Sequence, residues 1–505
     1  MAPLINSIIS WVNIKRLHQI ELFKKYPGNV QSEVFSKLIA RARDTVWGKI
    51  YGYDSIRSVE TYQERVPLQT YEDLKPYVER LRNGEQNVLW PSEIKWFAKS
   101  SGTTGDKSKF IPVSIEALEE CHFRGGKDII AIYTKMFPDN GIMKGKALTL
   151  GGSHQINNFS NQSFYGDLSA VIIENLPFWA NFIRTPSADI ALIPDFEEKM
   201  KKITEVSIRE NVTNIAGVPS WNLVLLNHVL DFTGKSNILD VWPNLELFTH
   251  GGVSFTPYRE QFRKIIPSDR MHYLETYNAS EGFFGIQDDL SRNDMLLMLD
   301  LGVYYEFIPM EHFQDPSPPV LTIDRVEKDV NYAMVISTNG GLWRYIIGDT
   351  VIFTSLYPHR IRISGRTRYF INAFGEEVIL DNAEKALLTA CEHTGAIISE
   401  YTAGPLFSKD DPRGAHEWLI EFDKVPGDLE RFADVLDKTL SSLNSDYEAK
   451  RFKNITLLKP KITSLEPGTF YRWMQKRGKL GGQNKIPRLS NDRKYLDELI
   501  SFISK

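Results

Sequence analysis

Apolar positions change their spacing along this chain. In the first ninety or so residues they recur at helical intervals: Phe35, Leu38, Ile39, Ala42 and Val46 predict one buried stripe. Tyr71-Glu72-Asp73-Leu74, set between Pro67 and Pro76, reads as helix punctuation. This region is expected to be helical scaffold. From Ile94 onward, short apolar runs alternate with helical segments. Lys146–Leu150 ends at Gly151-Gly152, and Asn214–Val218 precedes a helix from Trp221 to Leu230. Leu245–Thr249 ends at His250-Gly251-Gly252, and Met271–Tyr277 ends at Asn278-Ala279-Ser280-Glu281-Gly282. Strands that finish in Gly, Ser or Thr loops are how α/β sheets gather ligand sites at their carboxyl edges.

Residues 301–355 read as β-rich, through Tyr304–Ile308, Tyr332–Ser337 and Leu342–Tyr345, with a proline loop at 315–319. The pattern resets near Ser364-Gly365-Arg366-Thr367-Arg368. Beyond it, Asp381 is expected to cap a helix whose inner face is Ala383, Ala386, Leu387 and Ala390. A strand at Glu417–Phe422, a helix over 428–443 and a strand at Asn454–Leu458 complete an α+β pattern large enough for a domain of its own. The expected class is α/β: a large N-terminal domain (1–363) with mixed sheets and a β-rich part, and a small α+β C-terminal domain (364–505).

Composition narrows the function classes. A chain of 505 residues exceeds one core. A net charge of -4 gives no general attraction to nucleic acid or to an anionic membrane, and neither is expected as a partner. Two distant cysteines, Cys121 and Cys391, support neither a disulfide framework nor a thiolate metal site, and fit a reducing, cytoplasmic setting. Residues 1–20 lack the layout of a signal peptide and read as an amphipathic packing helix. No apolar run approaches the ~18 residues of a membrane span.

Candidate chemistry concentrates in four loops. Ser100-Ser101-Gly102-Thr103-Thr104-Gly105-Asp106-Lys107-Ser108-Lys109 follows an apolar run and is rich in glycines, hydroxyls and ammonium groups, the donors that suit a polyphosphate. It does not fit the Walker frame, since the residue five after Gly102 is Lys107. The others are Thr276–Gly282, Trp343–Asp349 and Gly481–Arg488. Each also has an ordinary reading: Asp349 as a turn residue, Glu281 as a helix-start carboxylate, Lys485 as a solvated lysine.

Taken together and in order, the loops resemble the acyl-adenylating, firefly-luciferase-like superfamily, and within it the Gretchen Hagen family of acyl acid–amido synthetases. The family's Ser-Ser-Gly-Thr-(Ser/Thr), Tyr-x-x-Ser-Glu and Tyr-Arg-x-x-x-Gly-Asp-like signatures stand here as Ser100–Thr104, Tyr277–Glu281 and Trp343–Asp349. The resemblance spans essentially the whole chain. It implies a mobile C-terminal lid domain, with Arg366 at the hinge, although Thr367 or Arg368 replaces the usual hinge aspartate or lysine.

The implied reaction is ATP-dependent: a carboxylic acid becomes an acyl-adenylate and is passed to an amino acid as an amide, releasing AMP and pyrophosphate. Ser100, Ser101, Thr103 and Thr104 would cradle the β- and γ-phosphates. Glu281 would hold Mg²⁺, a hard cation that wants carboxylate oxygen. Gly251, Gly252, Thr276, Tyr277 and Asn278 would border the adenine, Asp349 would accept from the ribose hydroxyls, and Lys485 would bridge carboxylate and α-phosphate. His154 and His250 are candidates for the amine's base. Trp179, Phe182, Trp221 and Phe255 are candidates for the acyl pocket. A coenzyme A acceptor and a non-enzymatic nucleotide-binding protein are the alternatives. A monomer or weak oligomer is expected.

Overall fold

The computed structural model describes residues 2–100, 109–151, 157–160, 163–252, 255, 258–367, 370–371, 373–374, 376, 378–407, 414–451, 457–480 and 486–504. The chain gathers into two compact units. The first comprises Met1–Gly252, Ile266–Ile347 and Val351–Arg362; the second comprises Val253–Ile265, Gly348–Thr350 and Ile363–Lys505.

The first unit begins with helices Ala2–Lys25, Pro27–Ala42, Val59–Arg65 and Tyr71–Arg82. Pro27 opens its helix where a backbone N–H has no partner to lose. Phe35, Leu38, Ile39 and Ala42 form the buried stripe, which ends there: Val46 is half-buried and starts the separate short helix Val46–Ile50. Buried Gln31 joins this helix to the strand Val303–Pro309, donating to Val303 O at 2.9 Å and accepting from Tyr305 N at 2.9 Å. Asp73 accepts the Thr70 N–H at 2.8 Å and so starts Tyr71–Arg82. Pro76 lies inside that helix rather than bounding it.

Among the described residues the first unit is built around a twelve-stranded sheet. Its parallel part runs through Lys146–Thr149, Val212–Gly217, Leu247–Gly251 and His272–Ala279. Antiparallel strands Gly282–Ile286, Met295–Leu297, Val303–Pro309 and Asn331–Thr338 extend it. A four-stranded sheet pairs Trp96–Ser100 with Lys109–Val113. Leu342–Arg344, expected to be extended, lies outside any strand, and Tyr345–Leu356 starts after it. The reason is Arg344: at φ +40° its buried side chain donates to Glu306 Oε2 (3.1 Å), Gln63 O (3.0 Å) and Val66 O (2.7 Å).

In the second unit, Leu380–Thr394 and Leu429–Leu443 cover a sheet of Ile397–Phe407, Gly414–Lys424 and Lys461–Leu465. Trp418, Ile420, Phe422, Phe432 and Leu436 fill the core between them. Ile379, not Asp381, holds the cap position of the first helix; Asp381 stands in its first turn, where a carboxylate complements the helix dipole. The third described strand is Lys461–Leu465, and most of the strand expected at Asn454–Leu458 falls in residues 452–456, outside the described set. Leu457 makes only a single bridge to Gly414. The architecture is α/β with an α+β second unit. Among the described residues no helix is long and apolar enough to cross a membrane.

Candidate active site

The site is built outward from the carboxyl edge of the parallel strands. Gly251 and Thr276 face each other across the pair Leu247–Gly251 and His272–Ala279. A Cβ on Gly251 would lie 2.3 Å from Thr276 O, so this strand end admits only glycine. Thr276 Oγ1 donates to His250 O at 3.2 Å, binding the same two strand ends by a side chain. Gly252 follows at φ +82°, turning the chain away with a conformation that disfavours other residues. The edge is therefore narrow, rigid and backbone-lined.

His272–Ala279 continues through a turn holding half-buried Glu281 into Gly282–Ile286. Asn278, near its end, is exposed. Tyr277 alternates inward: its ring is 5 % exposed and meets Phe284 edge-on at 4.9 Å. Its ring packs into the core rather than standing open at the strand edge. Two side chains that the sequence reading passed over support this hairpin from below. His122 Nδ1 is 3.0 Å from Asn278 Oδ1, and Phe283 N–H donates to Cys121 Sγ at 3.2 Å. Burial pushes the His122 pKa down to about 4 and the Cys121 thiol up to about 12, so both are neutral near pH 7.

Asp349 and Arg366 come together in the second unit. Arg366 Nε lies 3.1 Å from Asp349 Oδ1, and Thr367 N–H donates to Gly348 O at 2.9 Å. Gly348 sits at φ +89°, and a Cβ there would lie 3.4 Å from Arg366 Nη2. That backbone conformation, rather than crowding by the guanidinium, is what favours glycine here.

Of the Gly481–Arg488 loop, residues 481–485, Lys485 among them, lie outside the described set; the stretch after them is firmly held. Thr402 Oγ1 donates to Pro487 O at 2.6 Å, Ala403 N to Arg488 O at 2.8 Å, and Ser490 N to Ala403 O at 2.9 Å. Arg488 pairs with Glu400 and lies over the Tyr401 ring at 4.5 Å. Tyr258 OH donates to Glu400 Oε2 at 3.0 Å and accepts from Arg488 Nη2 at 2.9 Å. Burial holds the Glu400 carboxyl above its usual range and the neighbouring carboxylate holds Arg488 charged. Arg488 is thus an internal anchor of the second unit.

Ser101, Thr103, Thr104 and His154 lie outside the described residues, and Ser100 is placed by its backbone alone, opposite Lys109. His250 is buried at the Gly251 strand end. The four candidates for the acyl pocket divide between the two units. Phe255 packs on Phe262 inside the second unit at 5.3 Å, Phe182 is 66 % exposed, Trp221 is half-buried, and the Trp179 side chain is outside the described set. Among the described residues no group of three or more His, Cys, Asp or Glu side chains could enclose a metal. A single carboxylate such as Glu281 nonetheless suits Mg²⁺, which takes one or two carboxylates plus substrate phosphates and water.

Models of the GH3 family match the chain in three stretches: the N-terminal domain over residues 16–271, the central domain over 296–366 and the C-terminal domain over 381–494. The chain is 24% identical to the indole-3-acetic acid-amido synthetase GH3.3 of Arabidopsis thaliana, over 94% of this chain and 91% of that protein. It is 25% identical to the jasmonoyl–L-amino acid synthetase GH3.5 of Oryza sativa subsp. japonica, over 94% of each. Its fold superposes on that of GH3.15 acyl acid amido synthetase with a TM-score of 0.80 at 17% identity, covering 96% of this chain and 95% of that one. On 2-hydroxyisobutyryl-CoA ligase with its bound adenylate the TM-score is 0.60 at 12% identity, covering 94% and 91%.

Proposed function

The chain belongs to the GH3 family, and on that premise we propose that it activates a carboxylic acid with ATP and transfers the acyl group to an amino acid as an amide. The observation that carries the reading is the ordered set of three motif loops, with Gly251 closed on Thr276 and Asp349 paired to Arg366.

Adenylation brings a carboxylate onto the α-phosphorus of a tetra-anionic nucleotide, so the residues must supply donors and positive charge. Ser100, Ser101, Thr103 and Thr104 hold the outer phosphates and release pyrophosphate. Gly251, Gly252, Thr276 and Asn278 border the adenine. Asp349 accepts from the ribose hydroxyls, with Arg366 fixing the carboxylate's orientation. Lys485 balances charge where carboxylate oxygen meets phosphate. Glu281 would hold Mg²⁺, which when bound neutralises phosphate charge. Carboxylate-for-pyrophosphate exchange forms a mixed anhydride; the amine then attacks its carbonyl, AMP leaves, and the amine's proton passes to solvent or a base. The two unpaired thiols suit a cytosolic setting.

The test is carboxylate-dependent exchange of labelled pyrophosphate into ATP, across a panel of acids. Exchange with one acid class, followed by an amide product when amino acids are added, is expected. No exchange with any acid would sink adenylation. A thioester formed with coenzyme A, and no amide, would move the acceptor to a thiol, in line with the CoA ligase whose fold this chain shares.

A further inference from the structure

The helix after Lys109–Val113 is wound as a π-helix over Ala117–His122 before continuing as the α-helix Phe123–Met136. Such turns are rare and admit one extra residue into the helical path. Here two consecutive side chains of that turn reach the same hairpin: Cys121 accepts from Phe283 N, and His122 meets Asn278. One turn on, a Cβ on Gly125 would lie 2.5 Å from the Phe283 ring, so the helix rests directly on Gly282–Ile286. Cys121 and His122 are 2 % and 6 % exposed, whereas Asn278 is exposed. A buried ring thus grips the inner side of an outward-facing amide.

An amide oxygen accepts and never donates, so the His122 Nδ1 facing Asn278 Oδ1 carries the proton. Burial keeps the ring neutral, with a pKa pushed down to about 4. With its oxygen engaged inward, the Asn278 amide turns its NH₂ outward, at the strand edge beside Thr276 and Glu281. We propose that His122 is a positioning residue of the adenylation site, locking the Asn278 amide so that its NH₂ meets a hydrogen-bond acceptor on ATP. This rests on the nucleotide reading of residues 276–281. The role belongs to nucleotide recognition and leaves the acid and the amine untouched.

Two measurements test it. Long-range ¹H–¹⁵N spectra of protein labelled with ¹⁵N-histidine, with His122 assigned among the ten histidines by its loss in H122Q, are expected to show Nδ1 protonated at pH 7. The opposite tautomer would mean that the amide nitrogen faces the ring, and would overturn the proposal. In the exchange assay, H122F and N278A are each expected to raise KM for ATP about tenfold, the loss of one hydrogen bond, with kcat and KM for the acid within about twofold. The double variant should be no worse than either single one, because both remove the same contact. H122Q, which keeps an N–H donor, should recover most of the affinity. N278A changes an exposed residue and serves even if H122F fails to fold; an unchanged KM for ATP in N278A refutes the role. Absence of exchange in the unaltered protein would sink the adenylation reading itself, and the tautomer would still judge the His122–Asn278 geometry.

Discussion

At Gly251 a Cβ would lie 2.3 Å from a backbone oxygen, Thr276 O, which cannot rotate aside. Gly251→Ala must therefore push the paired strands away from each other at the edge where the site is proposed. A loss of about 1–3 kcal/mol is expected, by analogy with overpacking, in urea denaturation, together with a fall in pyrophosphate exchange. Full stability in this variant would show that the strands separate freely. Lys199 offers a second test, through pH. It is 2 % exposed, and burial pushes its pKa from 10.5 down to about 8. Below pH 8 both folded and unfolded chains hold the proton, and burial of the charge costs on the order of 3 kcal/mol. Between pH 8 and 10.5 the unfolded chain binds the proton and the folded one does not, so this group adds stability as pH rises. Lys199→Met is expected to stabilise the protein at pH 7, with the gain shrinking by pH 10. A difference that stays constant across that range would refute the buried charge.

Elements explain why some features were legible and others were not. The parallel strands read clearly because each couples an apolar run to a Gly or Asn stop, and at Gly251 the stop is imposed by a neighbour, Thr276 O. Asp349 and Arg366 could be named from motifs, yet their mutual contact depends on chain pairing between residues 348 and 367 that no local pattern announces. His122 was illegible for a similar reason. An isolated histidine on a helix carries no signal, and only the π turn aims it at Asn278. The anchoring of Arg488 was not legible because sequence shows its charge but not the buried Glu400 and Tyr258 that absorb it. Those contacts give a rank order. The Arg488 and Glu400 side chains are 12 % and 13 % exposed, so Glu400→Gln leaves a nearly buried guanidinium without its counter-charge and should cost about 3 kcal/mol. Tyr258→Phe removes one hydroxyl between them and should cost about 1 kcal/mol. Urea denaturation of the full chain checks both, and equal or reversed costs would place the anchoring elsewhere.

Across the whole molecule, a net charge of -4 gives no general pull on ATP or on a carboxylate, so the charge needed for adenylation must be local. Among the described residues, Arg344 is paired with Glu306, Arg366 with Asp349 and Arg488 with Glu400. That commitment sharpens the role proposed for Lys485, the remaining cation of the Gly481–Arg488 loop, held on its C-terminal side by the bonds of 487–490 to Thr402 and Ala403. A cation that acts where carboxylate meets α-phosphate stabilises the transition state of adenylation more than it stabilises bound ATP. Lys485→Ala should therefore lower acid-dependent pyrophosphate exchange by about 10² to 10³, the usual loss for one preorganised donor, while the Kd for ATP shifts by less than about threefold. The amine step starts from a finished mixed anhydride and no longer needs that charge. Supplied with a chemically made acyl-adenylate and the amino acid, the same variant should form amide at a rate within a few-fold of the unaltered enzyme. Unchanged exchange in Lys485→Ala would remove the residue from the chemistry, and an equal loss in both half-reactions would make it a general element of the fold instead.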